Sequence, residues 1–332
     1  MYNKYNRFGK YVSTSSGKAL YQKWYDIKPE MNRNCPLCGG DKHNVWYDLV
    51  LSKALLCTGC GFKFISPILS EKQMHEYYSH QYHETTIDKA DFEGKVHDVF
   101  SNPIERDKKT KDRHVEISLT DSFVKNGSVL DIGCGSGLYF EGLKGNHKIF
   151  GIEMSKLAAQ YTSSKFNINV ETMNIDNVEY EKEMFDVINM TYLIEHLVAP
   201  AKALNKILYW LKKDGMLIVS SPNWGGILSK YFKEFFRLNY PIQHINLWDV
   251  KTLTKFLNNS GFIVKNVYYP YFKTEYFNLN EIMRLFRNSL YYLILPLILK
   301  IGYVPSVGKI LSPPFWGNIM VLECYKTNVC RN

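Results

Sequence analysis

A chain of 332 residues is long enough for one large domain and one small one. Its composition, 45% apolar and 22% charged, is that of an ordinary soluble globular protein. Four of its seven cysteines fall into two C-x-x-C pairs, which reads as metal binding in a reducing compartment and excludes a disulfide framework. The net charge of +9 is uneven: residues 1–33 hold seven Lys/Arg against two acids, residues 225–332 thirteen against five, and the stretch between them 21 against 25. Basic flanks of this kind suit anionic lipid, polysaccharide or RNA, and equally a plain solvated surface.

In chain order, residues 1–34 form a leader that begins MYNKYNRFGKYVSTSSGK and has no apolar core of a secretory signal, so a cytoplasmic protein is expected. Residues 35–66 carry the paired cysteines. Residues 67–125 read as a polar helical connector or lid with a break at Asn102-Pro103, and Tyr78, Tyr82 and His83 are candidates for that lid. From residue 126 the pattern changes to strand and helix in alternation. Apolar runs fall at Ser128–Ile132, Lys148–Glu153, Phe185–Met190, Met216–Ser220, Phe262–Tyr268 and Gly317–Tyr325, with helical stretches at Lys156–Phe166 and Pro200–Leu211. This alternation predicts a parallel α/β sheet. The last two runs lack the rhythm and suit an antiparallel pair at the sheet edge, with residues 270–315 inserted between them.

Val129-Leu130-Asp131-Ile132-Gly133-Cys134-Gly135-Ser136-Gly137 is a buried strand entering a glycine-rich turn and then a helix. Glycines let the backbone turn sharply and approach a ligand without a Cβ. The dinucleotide fingerprint G-x-G-x-x-G wants its third glycine five residues after the first, where this chain has Leu138. A carboxylate at Asp131 is also unfavourable beside a pyrophosphate, but useful beside a cation. Glu153 closes the next apolar run, where it can accept hydrogen bonds from both hydroxyls of a ribose.

The segment VLDIGCGSG…IFGIEMS, followed in order by FDVINMTYLIEHL, ILYWLKKDGMLIVSSPN and HINLWDVKTLTKFLNNSGF, resembles class I S-adenosylmethionine-dependent methyltransferases. The resemblance implies an α/β architecture, a Rossmann-like seven-stranded methyltransferase sheet over 126–332. It also implies that Asp131, Gly133, Gly135 and Gly137 hold the methionine end of the cofactor, Glu153 the ribose, and Met154, Asn174 and Ile175 the adenine. Asp176 is the alternative to Asn174 if the register differs by two.

Cys35-x-x-Cys38 and Cys57-x-x-Cys60 are separated by 18 residues, and each is followed by a glycine, Gly39 or Gly61. Two such knuckles complete a tetrahedron around a structural Zn²⁺ with no open position for water. The sequence LLCTGCGFKFISPILSEKQMHEYYSHQYHE resembles a group of methyltransferases that join a zinc ribbon to the class I domain and methylate sugars, polysaccharides and their precursors.

That resemblance implies an acceptor hydroxyl on a carbohydrate, polysaccharide or glycolipid intermediate, and a hydroxyl needs a base. His196 in IEHL is the first candidate and His244, opening HINLWD, the second. The bland alternative is that Glu195 and His196 only cap or pack the following helix. Asn223, after Ser221-Pro222, is a candidate to orient the acceptor. An RNA methyltransferase is the second reading and a non-catalytic cofactor-binding scaffold the third. A nucleic-acid partner is disfavoured because no RNA-binding module accompanies the ribbon. Leu290–Leu299, bounded by Arg284, Arg287 and Lys300 with Pro296 inside, is too short to span a bilayer. Residues 281–303 are therefore a candidate peripheral membrane contact, or an ordinary packed helix.

Overall fold

The computed structural model describes residues 29–49, 52–76, 103–233, 236–240, 242–272, 274, 277–300, 312 and 315–327. Most of the leader, together with Tyr78, Tyr82 and His83, lies outside these. Two sheets organise the chain. The small one is antiparallel and begins with β1 (His43–Asp48), β2 (Lys53–Cys57) and β3 (Lys63–Ser66). After α1 (Glu71–Glu76), α2 (Pro103–Lys111) and α3 (His114–Phe123), the large sheet begins with β4 (Ser128–Ile132). It continues through α4 (Leu138–Gly142), β5 (Lys148–Ile152), α5 (Lys156–Phe166), β6 (Val170–Glu171), β7 (Phe185–Thr191), α6 (Pro200–Trp210) and β8 (Leu211–Pro222). The remaining elements are α7 (Ile227–Phe232), β9 (Asn246–Leu247), α8 (Val250–Asn259), β10 (Phe262–Tyr268), α9 (Leu279–Lys300) and β11 (Ile319–Lys326).

The seven strands of the large sheet run in the order β10-β11-β8-β7-β4-β5-β6. Strands β4 to β8 within it pair in parallel, while β11 is antiparallel to both β8 and β10. The expected antiparallel pair is therefore present at the sheet edge, with β10 outermost and β11 between it and β8. The predicted strand at Met216–Ser220 is longer, because Leu211 already pairs with Phe185 across a bulge. Glu153 falls just beyond β5.

Side chains alternate between the two faces of the sheet. One face gathers Leu130, Ile132, Ile188, Met190, Leu217, Val219 and Leu322 against α6, α8 and the phenylalanines of the ribbon. The other gathers Val129, Val187, Met216, Ile218 and Val321 against α3, α4 and α5. Coverage on both faces explains why the central strands read as unbroken apolar runs. Local signals set the helix ends. Ser155 caps α5 by accepting from the Ala158 N–H, and Asp249 and Thr252 form a capping box on α8.

The small sheet is completed by β9, a two-residue strand from the far side of the chain, in the order β1-β2-β3-β9. Lys63 pairs with Leu247 and Phe64 with Asn246, and the Ile65 N–H donates to the Ile245 carbonyl at 2.9 Å. Phe62 packs on Trp248 with ring centroids 4.4 Å apart. The ribbon thus shares its core with the large domain. No helix among the described residues is long and apolar enough to cross a membrane.

Candidate active site

At the carboxyl ends of β4, β5 and β7 lies a cavity of about 820 Å³, the position where ligands bind in open parallel sheets. Its first arm is built by the glycine turn. Gly133, Gly135 and Gly137 all have positive φ (76°, 51° and 74°), and the turn is tied to the neighbouring strand by Gly133 and Cys134 N–H bonds to the Ile152 carbonyl. A Cβ on Gly137 would collide with the Phe166 ring, whereas a Cβ on Gly135 would meet nothing within 4 Å. Gly137 therefore serves helix packing, and Gly135 faces the open cavity.

Asp131 projects into the same arm with only 4% of its surface exposed. It accepts a 2.7 Å hydrogen bond from Asn189 Nδ2, whose Oδ1 in turn accepts from the Thr191 hydroxyl at 2.9 Å. Burial pushes the Asp131 carboxyl up to about 7, against the pull of that hydrogen bond and of Arg113. Glu153 is gripped by two backbone N–H groups, Gly135 onto Oε2 at 2.9 Å and Ser155 onto Oε1 at 2.8 Å. Each carboxylate oxygen keeps a further lone pair for a ligand hydroxyl. Met154, Asn174, Ile175 and Asp176 line the cavity beyond Glu153. Asn174 caps a short 3₁₀ turn, its Oδ1 accepting from the Asp176 N–H at 3.2 Å.

The second arm holds the histidines. His196 and His244 meet edge to face with ring centroids 4.8 Å apart, and both line the cavity. His244 Nδ1 lies 2.7 Å from the Leu238 carbonyl. A carbonyl only accepts, so Nδ1 carries the proton and Nε2 keeps its lone pair. Burial lowers both rings: His244 falls to about 4, and His196, which also feels His244, lies well below the usual histidine value. Both are neutral imidazoles at neutral pH. Neither Glu195 nor His196 caps the following helix, because α6 begins at Pro200 with Ala199 in the cap position.

Asn223 lies at the end of β8 but does not line the cavity. Its amide donates to the Gly317 carbonyl and accepts from the Gly225 N–H, both at 2.9 Å, so it braces a loop. Other residues stand in or beside the site that the sequence did not mark as functional. Glu195 is fully buried behind His196, its Oε1 3.9 Å from the His196 Nε2, and burial pushes it up to about 8. Tyr192 has φ 53°, rare for a bulky residue, and its ring lies 5.0 Å under the Arg113 guanidinium. The sequence signal available for Arg113 was its place just before a helix leading into the sheet, which says nothing about its reach into the cavity.

The four paired cysteines come together away from this cavity. Their sulfur atoms lie within 4.8 Å of one another, with Cys35–Cys60 at 3.5 Å and Cys38–Cys57 at 3.6 Å. A tetrahedron with metal–sulfur bonds of about 2.3 Å has sulfur–sulfur edges of about 3.8 Å, so the cluster fits a four-thiolate Zn²⁺ site. Gly39 and Gly61, both at φ 74°, close the two knuckles.

Arg33, just before the ribbon, ties the small sheet to the segments that flank the histidines. Arg33 donates from Nε to the Ile65 carbonyl at 3.0 Å, from one terminal nitrogen to Asn246 Oδ1 at 3.1 Å, and from the other to the Ile245 carbonyl. Asn246 Nδ2 donates to the Leu197 carbonyl at 2.7 Å, and the Ile245 and Asn246 N–H groups both donate to the Glu195 carbonyl. The strand that follows His244 and the turn that carries His196 are thus tied together and to the small antiparallel sheet.

Residues 104–266 match a family model described as a methyltransferase domain. Together with the seven-stranded order and the glycine turn above, these residues form a methyltransferase domain. The chain is 28% identical over 117 residues to a ubiquinone biosynthesis O-methyltransferase from Coxiella burnetii, 33% of this chain and 49% of that protein. It is 32% identical over 106 residues to the enzyme of the same name from Glaesserella parasuis, 29% of this chain and 45% of that protein. The chain spans about half the length of these curated relatives. Among solved structures, it superimposes on 1,6-didemethyltoxoflavin-N1-methyltransferase from Burkholderia thailandensis with TM-score 0.48 and 14% identity, covering 86% of this chain and 100% of that one.

Proposed function

We propose that the protein transfers a methyl group from S-adenosylmethionine to an oxygen of a carbohydrate, polysaccharide or glycolipid intermediate. The observation that carries this reading is the single cavity joining the glycine turn and Glu153 to a pair of neutral histidines. When bound, the cofactor supplies an electrophilic methyl on a sulfonium. Asp131 and the turn hold its amino-acid end and Glu153 its ribose hydroxyls. His196, with His244 beside it, accepts the proton of the acceptor hydroxyl, and the buried walls exclude water. The curated relatives support oxygen as the methylated atom through their name, O-methyltransferase. They are named for ubiquinone rather than for a sugar, which favours as a second reading an amphiphilic acceptor with an aromatic hydroxyl. The four thiolates hold a structural Zn²⁺.

The cofactor assignment has a pH signature. With Asp131 titrating near 7 in the free protein, binding a cationic ligand below that pH must first displace a proton. Affinity for S-adenosylmethionine should rise by up to about tenfold per pH unit toward pH 7 and then flatten. Titration calorimetry between pH 5.5 and 7.5, roughly bracketing that value, should show this slope in the wild type and lose it in Asp131→Asn. A flat profile in the wild type contradicts the assignment.

A further inference from the structure

Helix α9 departs from an ordinary surface helix in being apolar on both sides. Leu285, Tyr291 and Tyr292 pack on the body of the protein, Tyr292 against Tyr231 and Phe232 of α7 at 5.1 Å, and Asn288 is fully buried. The side turned away is apolar as well. Leu279, Met283, Phe286, Leu290, Leu293 and Leu297 are 59–72% exposed, at alternating spacings of four and three residues. They form a stripe along a helix of 22 residues, about 33 Å long. Exposed apolar patches of this extent mark interaction surfaces.

Two observations identify the occupant. The first is charge. Arg287 is exposed on the margin of the stripe, Ile227 on neighbouring α7 is 75% exposed, and Lys230 and Lys233 beside it are exposed too. On α9, Glu281 is already paired with Arg284 at 3.0 Å. A second copy laid along the stripe as a coiled coil would bring Asn280, Ile282, Arg287, Ser289 and Ile294 to the flanking positions. None of these is acidic, so none answers Arg287, whereas lipid phosphates do.

The second is continuity with the cavity. Pro270, Tyr271, Thr274 and Phe315 line it, and the adjacent Phe272, Phe277 and Trp316 are 62%, 48% and 47% exposed. Apolar surface therefore extends outward from the cavity wall on the same insertion that carries the stripe.

We infer that α9 and these aromatics dock the protein on the surface of an anionic lipid bilayer, lying in the interface and opening the cavity toward an acceptor with a lipid portion. The acceptor clause rests on the proposed methyl transfer; the docking does not.

The test uses the full chain and two vesicle preparations, phosphatidylcholine alone and phosphatidylcholine with an equal part of phosphatidylglycerol. The wild type should float with the anionic vesicles, bind the neutral ones at least about fivefold more weakly, and dissociate as salt is raised. Leu290→Glu/Leu293→Glu, at exposed positions, should weaken anionic binding at least about tenfold, and Arg287→Ala should weaken it less. Both variants should bind S-adenosylmethionine like the wild type, which also reports that they are folded. Absence of wild-type flotation, or flotation unchanged in the double variant, overturns the inference. So does a wild-type dimer that the double variant makes monomeric without any vesicle binding. Cofactor affinity reads the enzymatic proposal separately, so either can fail without the other.

Discussion

Replacing His196 by alanine should leave S-adenosylmethionine affinity near that of the wild type and cut turnover on the acceptor by roughly two orders of magnitude or more. The ring lines the cavity edge to face with His244 and is not among the residues assigned to the cofactor, so under the proposal its loss removes a proton acceptor and spares the cofactor contacts. The sign of the pH dependence follows from burial. Protonation takes the lone pair that accepts the acceptor's proton, so activity falls as pH drops through the ring's own value. Because that value lies well below 6.5, the fall should come at lower pH than for a solvated histidine. His244→Ala is the comparison. It should be milder if His244 chiefly sets the environment of His196, and the larger loss if the proton goes to His244. Full turnover in both variants would show that neither ring takes the proton.

Cys57→Ser should destabilise the protein by more than about 4 kcal/mol, since structural zinc sites contribute about 10–16 kcal/mol of apparent binding free energy to folding. Metal analysis should find close to one zinc per wild-type chain and little in the variant. The fold adds a consequence beyond stability. Strand β3 pairs with β9, which begins two residues after His244, and Arg33 and Asn246 tie that strand to the turn carrying His196. Disordering the ribbon should therefore lower turnover in whatever protein remains folded, more than it lowers cofactor affinity. A zinc-free wild type that is fully stable would contradict the site.

The convergence of Asp131, Gly133, Gly135 and Glu153 on one cavity was legible because its determinants are local. Asp131 and the glycines sit on one continuous strand and turn, and Glu153 one strand later, so spacing alone brings them to the same sheet end. The cysteine pairs were legible for the same reason, each knuckle being a four-residue unit.

What escaped was fixed by contacts between distant segments. Asn189 and Thr191 reach Asp131 and Glu116 because they alternate onto the face covered by α3, a parity set by strand pairing. The two residues of β9 carry no periodicity, and only the ribbon edge makes them a strand. Asn223 looked like a site residue because it ends β8, yet the loop at Gly317 and Gly225 takes both ends of its amide. The 270–315 insertion showed an apolar stretch, but which side of the helix faces outward was decided by the packing of Tyr291 and Tyr292.

The most direct measurement is titration calorimetry of S-adenosylmethionine into the wild type, Asp131→Ala and Glu153→Ala at neutral pH. Under the proposed assignment Asp131 meets the amino-acid end and Glu153 the ribose, so each substitution removes a buried carboxyl partner of the cofactor. Each should weaken binding at least tenfold, about 1.4 kcal/mol, without loss of the folded state. Wild-type affinity retained in both variants would mean that the cavity at the glycine turn is not where the cofactor binds.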